Sequence, residues 1–422
     1  MSKRVIIIAA VVVAVAIGLF FWLQPATRFV YALSPVAPDE AVLLTRRNED
    51  DATYFWAQLV QSDGTVRWST EVSPFDTVEA LGFTGVAATA ERVFLLGEVD
   101  DALEVRALSR ADGEPLWATS IGHGESSYIG APSLLTDGAR VFALHDTPGM
   151  RETLTTLDVD GRVLWTHTVG SDGRLFVGSR IIAQKGGHTV ELDRATGQVV
   201  RTLTMDRRIH DTPLGLVGTR LGKLMLLGSD GVERTIALPG YVALDVGGVI
   251  DNDLVVDFND ASDVRTLARV DPTSGTLVWR LALPSSMIGT LNTPDHALPR
   301  FVAIMVDRVA LSIDLTTGAI VARRPIEYYA VAFTTATRAY VFQGVPDLMI
   351  AVDPTTGAFG PSWQIKKVWA SDMMPEDYRL GRLWVAGDGW AKPDGVSFGV
   401  FDLGTATIVS ERGNVRFVPL SP

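Results

Sequence analysis

"RVDPTSGTLVW", residues 269–279, joins an aspartate, a short loop closing on glycine, and an apolar run ending in tryptophan. The phrase recurs. "ELDRATGQVV" (191–200), "SIDLTTGAIV" (312–321) and "AVDPTTGAFGPSW" (351–363) keep Asp, then Ser or Thr, then Gly at fixed offsets. Shorter versions reduce the loop to Asp-Gly: "QSDGTVRW" (61–68), "RADGEPLW" (110–117), "LDVDGRVLW" (157–165) and "GSDGVERTIAL" (228–238), with a degenerate copy, "FDLGTATIV", at 401–409. From Gly64 to Gly404 the turn glycines stand 34 to 49 residues apart. Recurrence at about 40 residues is the signature of a propeller or a solenoid.

The segments between the turns decide which. "RVFLLGEV" (92–99), "LVVDF" (254–258), "RFVAIMV" (300–306) and "RAYVFQGV" (338–345) are short and rich in Val, Phe and Leu, and a 3.6-residue period is nearly absent after residue 40. These are strand features. Each repeat therefore reads as an antiparallel meander whose tightest hairpin is the Asp/Gly phrase, and the Asp-Gly copies suit a two-residue type I′ turn. Trp68, Trp117, Trp165 and Trp279 fall at one place in the outgoing strand, where they would bridge neighbouring sheets. The class is all-β, a β-propeller expected to have eight blades, with seven or nine as the alternatives. Its ring is expected to close by pairing 414–420 with the strand around 41–47, hiding the edge strands.

Asp271, Ser274, Gly275 and Trp279, and again Ala351, Asp353, Thr356 and Gly357, resemble the Ala-x-Asp-x-x-Thr-Gly-Lys-x-x-Trp repeat of the pyrroloquinoline-quinone-like (PQQ-like) propellers. Trp363 comes two residues late and no copy carries the Lys. The resemblance spans about residues 40–422. That family holds quinone-dependent dehydrogenases and non-catalytic scaffolds of the BamB type, so the resemblance implies the fold and leaves both activities open. This chain, having no cysteine, lacks the vicinal pair often found beside the quinone and the lipid-bearing cysteine of BamB-type lipoproteins.

The 422 residues divide into three parts. Lys3 and Arg4 precede Val5 to Leu23, an uncharged stretch of 19 residues that as a helix would span roughly 28 Å, enough for a bilayer. Residues 1–23 thus read as one transmembrane anchor with its N-terminus in the cytoplasm. The alternative is a signal peptide cleaved near Ala32. Residues 24–39, with Pro25, Pro35 and Pro38, read as a linker, and 40–422 as the propeller. Both readings place the body outside the cytoplasm, anchored at the inner membrane or secreted. Without Lys3 and Arg4 it carries 35 basic and 49 acidic residues, a formal charge of −14, which repels phosphate backbones and excludes nucleic acid as a partner.

Few residues suggest chemistry. Asp251, Asp253 and Asp257 in "DNDLVVDFNDASD" are hard oxygen ligands suited to calcium, against the plainer reading of a solvated hairpin. Histidines 123, 145, 167, 188 and 210 fall about half a repeat apart, yet without the His-x-His or His-Glu-x-x-His spacing of a metal site. "GVSFG" (395–399) has the Gly-x-Ser-x-Gly string but leads into a strand rather than a helix, and "GTRLGK" (218–223) is one residue short of a phosphate loop. Trp390, in the loop 387–395, is the candidate interaction residue. No catalytic residue and no cofactor are expected. The function expected is a membrane-tethered, non-catalytic interaction scaffold binding envelope proteins. The alternatives are a dehydrogenase using PQQ and calcium, or a ligand-binding sensor ectodomain.

Overall fold

The computed structural model describes residues 29–49, 52–73, 85–100, 102–123, 133–147, 151–169, 175–177, 180–185, 188–205, 207–283, 297–326, 330–344, 347–366, 382–386, 398–412 and 416–420. Among these residues no helix is long and apolar enough to cross a membrane. The anchor proposed for 1–23 lies outside them.

Among the described residues nine antiparallel sheets follow one another, spanning 29–71, 86–123, 133–168, 175–203, 207–236, 241–282, 301–325, 330–366 and 382–412. Six are four-stranded meanders in sequence order; the seventh and ninth show three strands, and the eighth gains a fifth. Eight blades were expected, with nine among the alternatives. The 34- and 36-residue spacings between turn glycines fall in sheets of short strands, such as Val199–Leu203 and Glu233–Ile236.

First strands of successive sheets lie side by side: Phe29–Ala37 beside Val86–Ala88, Val86–Ala88 beside Ser133–Thr136, and Arg207–Thr212 beside Tyr241–Ile250. Arg382–Ala386 of the ninth sheet returns to lie beside Phe29–Ala37 of the first. This is the radial order of a β-propeller. The core sits between sheets: Val42, Leu44 and Leu59 of the first meet Val93, Leu95 and Leu108 of the second, and Val255 and Leu267 of the sixth meet Val302, Ile304 and Ile313 of the seventh. Meander topology puts the first–second and third–fourth turns of every four-stranded sheet on one face. The second–third turns and the crossings to the next sheet fall on the other.

The Asp-Gly turns are not type I′. In 61–65, Gly64 N–H donates to Gln61 O at 2.9 Å, Gln61 N–H donates to Thr65 O at 2.8 Å, and Gly64 alone has positive φ, at 93°. This is a three-residue loop, a type I turn closed by a glycine bulge. Asp63 stays out of the left-handed region because its carboxylate accepts Thr65 N–H at 2.8 Å, an arrangement a type I′ turn would break. The longer phrase adds one residue: Asp271 N–H donates to Thr276 O at 3.0 Å and Gly275 N–H to Asp271 O at 2.8 Å, while the Asp271 carboxylate accepts Thr273 N–H and the Ser274 hydroxyl. The Ser274 hydroxyl first, then the Thr273 N–H, holds that carboxyl below its ordinary range.

Two further expectations change. Residues 29–37, read as part of the linker, are the first strand of the first sheet. Prolines are tolerated there because the strand is a sheet edge, with Pro35 at a register irregularity and Pro38 in the turn. The C-terminal strand Arg416–Leu420 pairs with Phe359–Lys366 of the eighth sheet, not with 41–47. Glu40–Glu49 is flanked on both sides by Phe29–Ala37 and Ala52–Gln61 and offers no free edge, whereas Phe359–Lys366 is the outer strand of its meander.

Candidate functional site

The recurring tryptophan ties each sheet to the next. Trp68 Nε1 donates to Arg110 O at 2.9 Å, Trp117 to Val159 O at 2.9 Å, Trp165 to Arg194 O at 3.2 Å and Trp279 to Leu315 O at 2.7 Å. Every acceptor lies in the hairpin before the last strand of the following sheet, which in the three-stranded seventh is its second–third turn. Where the fourth sheet has Arg201 four residues after its turn glycine, the guanidinium donates to Gly231 O at 2.6 Å instead. Where the eighth has Trp363 two residues late, Tyr340 donates its hydroxyl to Leu403 O and Trp363 packs edge-on against Phe401. Arg110 adds an ion triad: with Arg67 it flanks the buried carboxylate of Glu40 at 2.6 and 2.7 Å. Burial alone would raise the Glu40 pKa, but Arg110 and then Arg67 outweigh it and hold the carboxyl below its ordinary range. The face bearing these turns is engaged in holding the ring together.

The calcium candidates separate. Asp253 takes Arg269 Nε at 2.6 Å and Asp251 lies 3.5 Å from the same guanidinium, while Asp257 accepts Arg265 Nε at 3.0 Å, four residues further along the strand. Two arginines thus already offset part of the charge of the three carboxylates. Among the described residues no group of three His, Asp or Glu could hold a metal. Among the described side chains the histidines do not converge either. His145 is buried in the third sheet with Nε2 3.0 Å from Thr155 Oγ1, His167 is on that sheet's outer strand, and His210 opens the fifth sheet. His123 and His188 lie in Pro115–His123 and His188–Leu192. His296, Ser397 and Trp390 lie outside the described residues. Gly218 to Lys223 forms a β-hairpin, with Gly218 inside Gly215–Arg220.

One polar cluster was not read from the sequence. Asp245 and Asp257 stand directly opposite each other on paired strands, both buried. His210 Nε2 approaches Asp245 Oδ1 at 2.9 Å from the neighbouring sheet, Val246 N–H donates to the same oxygen at 2.9 Å, and Arg265 forks onto Asp257. Two facing carboxylates would repel in a partly dry site, so each has its own cationic or donor partner. The cluster joins the fifth and sixth sheets at a boundary without a tryptophan tie. A lone Asp in "YVALDVGGVI" gave no signal of this, because a register irregularity between Ala243 and Asp245 decides which way it points.

Residues 56–220 match the family model described as "Outer membrane protein assembly factor BamB". That stretch runs from the third strand of the first sheet to the second strand of the fifth, and is similar to that family of PQQ-like repeats over this part of the chain. Among solved structures the chain is similar to dihydro-heme d1 dehydrogenase NirN in complex with DHE, at 16% identity over 82% of this chain and 76% of that one, TM-score 0.46. It is also similar to apo AztD from Citrobacter koseri, at 12% identity over 80% and 95%, TM-score 0.45. A europium-containing methanol dehydrogenase follows at 12% over 74% and 83%, TM-score 0.40. No curated protein sequence matches the chain.

Proposed function

We propose that this chain is an extracytoplasmic scaffold, a non-catalytic propeller held at the membrane by residues 1–23 that binds protein partners in a cell-envelope complex. The observation that carries this reading is the match of residues 56–220 to the BamB family model. The geometry supports it through the use made of polar side chains. Glu40, Asp251, Asp253, Asp257 and Asp314 all face arginines, and the turn aspartates cap their own loops. Such a ring is a rigid platform whose free turns lie on the face opposite the ties. Confinement at the membrane raises its effective concentration toward partners there.

The test is in-cell cross-linking of the full chain, mild solubilisation and identification of what co-purifies, against a control carrying the same anchor on an unrelated domain. The reading expects a stoichiometric envelope protein absent from the control. Recovery equal to the control removes it.

A further inference from the structure

The hairpin Arg220-Leu221-Gly222-Lys223 is built against local preference in three ways. It is the second–third turn of the fifth sheet, on the face opposite the tryptophan ties. Leu221 has φ 48° and Gly222 φ 75°, a left-handed pair in which leucine is disfavoured. The turns that follow Val99 and Val306 instead open on Asp100 and Asp307, at φ 49° and 52°, a residue type that tolerates this region. The Leu221 side chain is 87% exposed, the most of any large apolar residue described, with Val242 half-exposed beside Gly222. Arg220 and Lys223 are paired directly across the hairpin, a like-charge juxtaposition that destabilises a sheet. Both are exposed and make no ion pair among the described residues, although Arg201, Arg234, Arg265 and Arg269 nearby in sequence all do.

Backbone strain, an exposed leucine and two unneutralised cations in one four-residue tip give folding nothing, and strain kept at a surface tip is a mark of function. The tip is also held rigid, since Ala243 N–H donates to Gly222 O at 2.7 Å and fastens it to the sixth sheet. A preordered tip loses little entropy on binding. We infer that Leu221 is an anchor for a protein partner, entering an apolar pocket rimmed by Asp or Glu side chains that meet Arg220 and Lys223. Charge complementarity selects the acidic rim. A protein is favoured over an anionic lipid surface because the body as a whole is strongly acidic, and an extended anionic surface meets that whole charge whereas the rim of one pocket meets only Arg220 and Lys223.

This rests on the scaffold reading, and the experiment separates the two. A photoreactive benzophenone amino acid at position 242 in the full chain, irradiated in the native cell, labels whatever covers the tip. Mass spectrometry then identifies the labelled peptide. The inference expects an apolar segment flanked by acidic residues of one partner, and labelling reduced about tenfold or more by Leu221→Asn, as for an interface hot spot. Asn suits the left-handed conformation, so the thermal midpoint should hold or rise. Arg220→Glu with Lys223→Glu should also reduce labelling. Labelling of lipid or of a second copy of the chain, or a partner labelled equally in the Leu221→Asn variant, overturns the inference while leaving the scaffold intact. No partner at position 242, and none in the cross-linking of the whole chain, overturns both.

Discussion

Gly318 lies flat beneath the indole of Trp279 across the boundary of the sixth and seventh sheets, so close that a Cβ on Gly318 would stand 2.7 Å from the ring. The same ring donates to Leu315 O three residues earlier in the loop. Gly113 under Trp68, Gly161 under Trp117 and Gly197 under Trp165 repeat the arrangement, each at positive φ. The glycine of the phrase thus answers two demands at once, the left-handed turn of its own hairpin and the approach of the preceding sheet's tryptophan.

The two demands can be separated. Gly318→Ala and Gly161→Ala add both a φ penalty and a collision with an aromatic face, and each should lower stability by about 2 to 4 kcal/mol. Gly138→Ala carries only the first, because at φ +90° it has nothing within 4 Å of the added Cβ. It should cost about 1 kcal/mol. Denaturant unfolding of the three variants checks the ranking; an equal loss at all three positions would mean the indole contact is soft.

Trp279→Phe keeps most of the apolar area and removes only the donor to Leu315 O. A loss of about 1 to 2 kcal/mol is expected, and Trp279→Ala should lose about 3 to 5 kcal/mol by emptying the space between the sheets. The third-sheet ring Trp165 behaves as the comparator, since its bond to Arg194 O is longer, at 3.2 Å. A Trp165→Phe loss larger than that of Trp279→Phe would contradict the role assigned to the indole donor.

Asp314 sets the acid limit of the seventh sheet. Burial would raise its pKa, but the Arg300 guanidinium at 2.8 Å, then the Thr316 hydroxyl and the Thr316 N–H, outweigh that and lower it from 3.8 to about 2. The folded carboxyl therefore binds its proton less tightly than the unfolded one. The stabilisation is fully present above the unfolded value near pH 4 and is lost as pH falls through the folded value near 2. Arg300 is half-exposed, so the contribution is discounted to about 1 to 2 kcal/mol. Asp314→Asn should be less stable than the parent by that amount near neutral pH, with the gap closing between about pH 4 and pH 2. A gap constant across that range would assign the loss to packing.

How much of this was legible follows from what each phrase has to satisfy. Asp271, Gly275 and Trp279 answer to one hairpin and one neighbour, both at a fixed offset in sequence, so the repeat, the strands and the bridging tryptophans could all be read. The turn type could not, because type I′ and the glycine bulge share the Asp-Gly dipeptide and differ only in whether Asp63 turns left-handed or bonds Thr65 N–H. Ring closure was hidden for another reason: whether a strand has a free edge depends on what Phe29–Ala37 pairs with, and its prolines argued for a linker. Asp245 and His210 meet across 35 residues through a backbone irregularity, and Leu221 matters only through its φ and exposure, neither of which is written in residue type.

The buried cluster at the fifth and sixth sheets offers the sharpest test of charge. Arg265 faces both carboxylates: its bond to Asp257 first, and then the nearby charges of Asp257 and Asp245, push its pKa above the ordinary value against the effect of burial. Arg265→Met removes the guanidinium forked onto Asp257 and leaves that carboxylate opposite Asp245. The expected loss is about 3 kcal/mol. Asp257→Asn in the same chain removes one of the opposed charges and should restore at least about half of it, because an apolar and an amide group can face each other without an uncompensated ion. Asp257→Asn alone should be destabilising, leaving Arg265 without its fork. A double-mutant cycle on thermal or urea unfolding measures the coupling. Strictly additive losses would show that the facing aspartates do not repel in the folded protein.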